Sequence, residues 1–195
     1  MKNFLFSISF LFIFISNAFT QKETPNLPFD KTTNKITYSE VILVDSLTTK
    51  QELFSRAREW FAKTYKSSTN VIQMEDKESG KIVGKALMQV YHKQFGMIGE
   101  SGYINYTISL YLKDGKYKYE ITNFYHSGQF TSAGGRIPDY GVCEDMINTT
   151  DRQMGFSYQK IYNYYLNQMN DNITELVVDL KRAMITNAVS SQNDW

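Results

Sequence analysis

The sequence predicts a two-layer α+β fold, an antiparallel sheet built in the order β-α-β-β-β-β-α with both helices on one face. Three observations carry that expectation. The stretch from Gly102 to Tyr125 reads as two long strands joined by Asp114-Gly115, a dipeptide that accepts the positive φ angles of a type I′ turn. Residues 50–65 repeat apolar side chains at helical spacing, and a single helical phase runs from Tyr158 to Met184. Two amphipathic helices and one apolar sheet face all need cover, and laying the helices on the sheet buries all three.

From the N-terminus, residues 1–20 predict a secretory signal peptide. Lys2 supplies the charge, Phe4 to Ile15 is apolar except for Ser7 and Ser9, and Ser16-Asn17-Ala18 offers small residues for cleavage after Ala18, with Thr20 a second position. The apolar run falls short of the ~20 residues a membrane span needs, so no span is expected after cleavage. Residues 21–35, with Pro25 and Pro28, predict an extended lead-in to a single domain over 36–188, and residues 189–195 a disordered tail.

Ile36 to Val44 has the β-branched content of a strand. Thr49 and Glu52 fit a capping box, in which the Thr hydroxyl and the Glu carboxylate each take a backbone N–H of the first helical turn. Behind it Leu53, Ala57, Trp60, Phe61 and Thr64 share a face, while Glu52–Arg56 and Glu59–Lys63 predict a solvated one. Residues 70–76 and 81–91 predict a second strand pair around Glu78-Ser79-Gly80, with its register left open. Gly84 and Ala86 are small on its apolar face, where a helix is expected to approach closely. Residues 92–101 are expected to connect onward.

In the hairpin, the turn pairs Lys113 with Lys116, Leu112 with Tyr117, Leu110 with Tyr119 and Ile108 with Ile121. One face then carries Ile104, Tyr106, Ile108, Leu110, Leu112, Tyr117, Tyr119, Ile121 and Tyr125, with Asn123 out of place. The other carries Tyr103, Asn105, Thr107, Ser109, Tyr111, Lys113, Lys116, Lys118, Glu120, Thr122 and Phe124. Residues 126–152 hold several glycines and no period, which predicts a long loop. The first strand is expected beside the last, after its helix crosses over.

Charge narrows the function classes. Removing 18 leader residues takes away Lys2 and no acid, so 20 basic residues balance 20 acidic ones, against a phosphate-backbone binder. Cys143 is the only cysteine, so no internal disulfide forms.

Several segments also carry a family resemblance: LPFDKTTNKITYSEVILV (27–44), REWF (58–61), VIQMEDKESGKIVGKA (71–86) and KDGKYKYEI (113–121). Together they resemble an exported bacterial family, the domain of unknown function described as having a TBP-like fold, over Leu27 to Tyr125. The resemblance implies a curved antiparallel sheet with helices on its convex side, in a secreted or periplasmic protein. It implies no activity, and the fold name is not a sign of DNA binding.

No catalytic, cofactor or metal signature rises above background. Cys143 with His126 or His92 is a weak thiol–imidazole candidate, and the three residues lack zinc-ligand spacing. Ser132 to Arg136 lacks the pattern of a phosphate loop, and the sequons at Asn105, Asn148 and Asn172 carry little weight in an exported bacterial protein. The open sheet face is the candidate site, a platform for a protein, peptide or glycan of the cell envelope. Its expected contact residues are Tyr103, Tyr111, Lys118 and Phe124, joined by Arg136 and Tyr140 from the 126–152 loop. A solvated face of no function is the plainer alternative. An apolar ligand between the long helix and the sheet, and a hydrolase centred on Cys143, are the rival functions.

Overall fold

A computed structural model describes residues 25–94, 97–131, 134–147 and 156–185. The expected signal peptide, the tail at 189–195 and the Asn148 sequon lie outside these residues.

The elements are β1 (Tyr38–Leu43), α1 (Lys50–Thr64), α2 (Ser68–Val71), β2 (Ile72–Asp76), β3 (Lys81–Gln94), β4 (Met97–Lys113), β5 (Lys116–Ser127), β6 (Gly141–Val142), α3 (Cys143–Ile147) and α4 (Phe156–Ile185). The sheet has 6 antiparallel strands in the order β1-β5-β4-β3-β2, with β6 added beside the far end of β5. The β1 strand therefore lies next to β5, where the crossover of α1 was expected to put it. The Asp114-Gly115 turn sets the expected register: Lys113 faces Lys116, Leu110 faces Tyr119 and Ile108 faces Ile121.

One face of this sheet is the floor of the core. Ile82, Ile104, Ile108, Leu110 and Ile121 are fully buried there, under Leu53, Phe61 and Trp60 of α1 and Met169, Ile173 and Leu180 of α4. Gly84 shows why small residues were needed: a Cβ placed on it would lie 2.8 Å from the Phe61 ring. The two helices are joined by polar groups from facing turns. Trp60 Nε1 donates to Asp179 at 3.0 Å, and Arg56 donates to the Met184 carbonyl at 2.7 Å. The second bond satisfies a carbonyl that the end of α4 leaves without a helical partner. Gln168 of α4 does similar work for the sheet. Where β2 stops, its side-chain amide accepts from the backbone N–H of Tyr91 and donates to the carbonyl of the same residue, closing part of the bare edge of β3.

Six expectations are corrected. Thr49 does accept the N–H of Glu52, but the Glu52 carboxylate turns to Arg56. Arg56 itself is buried against the end of α4, so that side of α1 is not simply solvated. The β3–β4 hairpin runs on past residue 92, as far as Gln94 and Met97. Residues 126–152 are not one loop, since they contain β6, α3 and a bridge between Phe130 and Arg136. Tyr158, expected in the core phase of α4, is 43% exposed at its first turn.

The sixth correction matters most for function. Asn123 has a φ of 59°, and Asn123 and Phe124 together oppose Tyr106, between the pairs Thr107–Thr122 and Asn105–Tyr125. This is a β-bulge, with Asn in the left-handed conformation it tolerates better than most residues. The extra residue inverts the phase of the strand. Phe124 turns into the core at 0% exposure and Tyr125 turns out at 41%, the reverse of the expected assignment.

Candidate functional site

With the helices on one side, the other face of β1, β5, β4 and β3 is left without a covering element among the described residues. Its rows follow from the pairing register. Lys113 stands opposite Lys116, beside Leu43 of β1. The next row is Lys81, Tyr111, Lys118 and Val41, one from each strand. In that row the Tyr111 ring is flanked on both sides, with the Lys81 ammonium 5.4 Å and the Lys118 ammonium 5.7 Å from its centroid. Lys118 also pairs with Glu120 at 3.0 Å, and that hydrogen bond holds its pKa above the usual lysine value. Further along come Lys85 with Thr107 and Thr122, then Leu87 with Asn105 and Tyr125, then Gln89 with Tyr103 and Ser127.

At this second end lies a cavity of about 850 Å³ whose lining includes residues of both faces of the sheet. One wall runs from the end of α1 into α2, including Tyr65, Lys66 and Asn70; the other side is formed by Lys85, Leu87, Asn105, Thr107 and Tyr125 of three adjacent strands, together with Ala86 and Tyr106 of the core face. Leu87 is 57% exposed there. The Asn105 side-chain amide is oriented by donating to the Tyr125 carbonyl and to Ser127 Oγ, at 3.2 and 2.8 Å. Deep in the same wall, the hydroxyls of Tyr65 and Tyr106 are 3.1 Å apart, and burial raises both phenols above their ordinary pKa, so both stay protonated.

The six expected contact residues separate into three groups. Tyr103, Tyr111 and Lys118 do lie on the uncovered face. Phe124 does not: it packs edge-on against Tyr38 and stacks on Tyr106 inside the core. Arg136 and Tyr140 are elsewhere. Arg136 sits on an arm that leaves β5 after Ser127, nine residues beyond Lys118 and so ~30 Å along the strand direction. The arm is held by hydrogen bonds from Ile137 to Gln129 and from Thr131 to Gly135, and the Arg136 guanidinium lies 5.8 Å from the ring centroid of Phe130. Tyr140 packs on the helix side against His126, Tyr162 and Tyr165, where burial pushes its phenol up to about 12.

Neither imidazole is paired with the thiol by a hydrogen bond among the described residues. His126 is fully buried, with Nδ1 accepting the backbone N–H of Tyr140 at 3.4 Å, so Nε2 carries the proton and donates to the Ser101 carbonyl at 2.8 Å. Burial lowers its pKa and keeps it neutral. Cys143 is fully buried and its thiol is pushed up to about 12, which withholds the thiolate that nucleophilic chemistry requires. Among the described residues no group of three or more His, Cys, Asp or Glu side chains is placed to hold a metal ion. No described helix is long and apolar enough to cross a membrane.

The sequence alone passed over Lys81, Lys85, Leu87, Asn105 and Tyr125 as contact residues. The signal for Tyr125 was present, because Asn123 interrupts the alternation and Asn is a residue that accepts the bulge conformation. The cavity had no sequence signal, since its walls come from segments far apart in the chain.

Comparison with known proteins places the fold. Residues 38–127 match the family model described as "Domain of unknown function (DUF4468) with TBP-like fold". The crystal structure of a TBP-like protein from Parabacteroides distasonis is similar at a TM-score of 0.56 and 16% identity, covering 80% of this chain and 97% of that one. That of a DUF4468 family protein from Bacteroides ovatus is similar at a TM-score of 0.54 and 15% identity, covering 83% of this chain and 94% of that one. At these identities the likeness is one of fold. No curated protein matches the chain.

Proposed function

We propose that this chain, whose residues 38–127 match the DUF4468 family model with TBP-like fold, is an exported, non-enzymatic binding module that works through the uncovered face of its sheet. The observation that carries the reading is the continuity of that face from the Lys81–Tyr111–Lys118 row to the 850 Å³ cavity at Leu87, Asn105 and Tyr125. Clefts lined by a mixture of apolar surface and a few placed polar groups are the usual form of a binding site. The exposed Phe130–Arg136 pair on the arm adds a second contact at the far end, of the aromatic and arginine type that dominates interfaces. A protein, peptide or glycan of the cell envelope suits such a surface, and a balanced charge makes nucleic acid a poor partner.

The rival functions have less support. Between α4 and the sheet, Tyr165, Leu166, Met169 and Ile173 are at most 2% exposed, so the chain's own side chains take up the space an apolar ligand would need. A hydrolase on Cys143 would have to ionise a thiol that burial keeps protonated.

A crosslinking pull-down from the native envelope tests the proposal. Wild type and Cys143→Ala are expected to capture the same partner, and Lys118→Glu with Tyr125→Ala to lose it by roughly 10-fold or more, on the scale of a lost hot-spot side chain. Equal capture by the double variant, with its melting temperature unchanged, would refute the role of the face.

A further inference from the structure

We infer that the ligand of this face is an acidic polysaccharide, with carboxylates on its sugar rings. The inference rests on the reading of the face as a binding surface, and it comes from the charge and the kind of groups displayed there. From the Asp114-Gly115 turn to the Leu87–Asn105–Tyr125 row, the face carries Lys81, Lys85, Lys113, Lys116 and Lys118 against Asp76 and Glu120, with Asp30 near enough to act on Lys118. All three acids are already engaged: Glu120 pairs with Lys118, Asp76 accepts the backbone N–H groups of Glu78 and Ser79, and Asp30 accepts those of Thr32 and Thr33. The whole chain has a formal charge of only +1, so this excess is local. Lys113 and Lys116 stand directly opposite each other, an arrangement of like charges that costs stability until an anion lies between them.

The backbone of the face argues against a peptide. Over these rows β4 is paired on both sides by β3 and β5, and β5 by β4 and β1. Their main-chain groups are spent on neighbouring strands, so a peptide recognised by strand addition would have to lie at an outer edge, on β1, β2 or β3 beyond Gly84, and not over the Tyr111–Lys118 row. What remains is ammonium, amide, hydroxyl and ring surface, which matches a sugar: Lys for carboxylate, Asn105 and Thr107 for hydroxyls, and the exposed Tyr125 ring for the apolar face of a pyranose. Lys81 and Lys85 are four residues apart on β3, ~13 Å, so a single acidic sugar cannot reach both and a polymer can.

The test uses polygalacturonate and alginate as acidic polysaccharides, fully methyl-esterified polygalacturonate as the neutral control, and polyglutamate as the acidic polypeptide, each titrated calorimetrically into the full chain. At least one acidic polysaccharide is expected to bind, and to weaken more than 10-fold as salt rises to about 1 M, where screening acts within ~3 Å. The esterified polymer and polyglutamate are expected to bind at least 10-fold more weakly. Lys85→Glu with Lys118→Glu should abolish binding, and Tyr125→Ala should weaken the polysaccharide by about 10-fold while leaving polyglutamate unchanged. Failure of both acidic polysaccharides overturns the inference, as does binding that survives the lysine reversals. Equal binding of polyglutamate, lost in the same variants, overturns the sugar assignment while leaving the face as a binding surface. Loss of the envelope partner in the pull-down remains the separate measure of that reading.

Discussion

Phe124→Ala is expected to cost about 3–5 kcal/mol of folding stability, the range for emptying a buried aromatic site. Tyr125→Ala, one residue on, is expected to cost under about 1 kcal/mol, because its side chain is already partly in water. The contrast follows from the bulge. Phe124 is fully buried, its ring 5.8 Å from Tyr38 and 6.2 Å from Tyr106, while Tyr125 is 41% exposed at the mouth of the cavity. Without the bulge the two would exchange places, and so would the two costs. Urea unfolding of both variants, with equal slopes, gives the comparison. Similar losses, or a larger loss at Tyr125, would mean that the strand keeps its alternation through Asn123.

Trp60→Ala should also remove about 3–5 kcal/mol, by a different route. Trp60 is 2% exposed, meets the rings of Phe61 and Tyr65 edge-on, and spends its indole N–H on Asp179 of α4. Truncation opens a void between α1 and the sheet and removes the tie between α1 and Asp179 of α4. Trp60→Phe keeps most of the apolar area and loses the hydrogen bond, so its cost should be much smaller, around 1–2 kcal/mol. A thermal unfolding series of the two variants separates packing from hydrogen bonding. If both cost the same, the bond to Asp179 is what matters and the packing account fails.

The parts of the fold that were legible in the sequence are those whose determinants are local. Asp114-Gly115 names its own turn, and a turn of fixed length sets every pair of the hairpin up to Thr122. The helical phase of α4 survives Asn170-Asp171-Asn172, and the structure has one helix there. Gly84 signalled a close approach, and Phe61 makes it. The parts that were not legible depend on tertiary partners. Arg56 looks like a surface residue until the end of α4 supplies a carbonyl for its guanidinium. The short elements β6 and α3 are below the length at which a period can be read, and they are held by β5 and by Glu144, which accepts the backbone N–H of Ile36. Gly102, with a φ of 92°, allows a second bulge opposite Val90 that no alternation pattern foretold.

The candidate site divides along the same line. Its hairpin half, with Tyr111 and Lys118, was visible because one turn places it. Its cavity half was not, because Tyr65, Lys85 and Tyr125 are brought together only by the register of β3 on β4 and by the bulge at Asn123.

Nuclear Overhauser contacts of the Phe124 ring are the most direct measure of how the two faces are divided. Contacts to the rings of Tyr38 and Tyr106, with Tyr125 free of both, are the predicted result. Contacts from Phe124 to Leu87 and Asn105, with Tyr125 against Tyr106, would place the wrong side chains on the uncovered face and remove the surface on which the proposed binding depends.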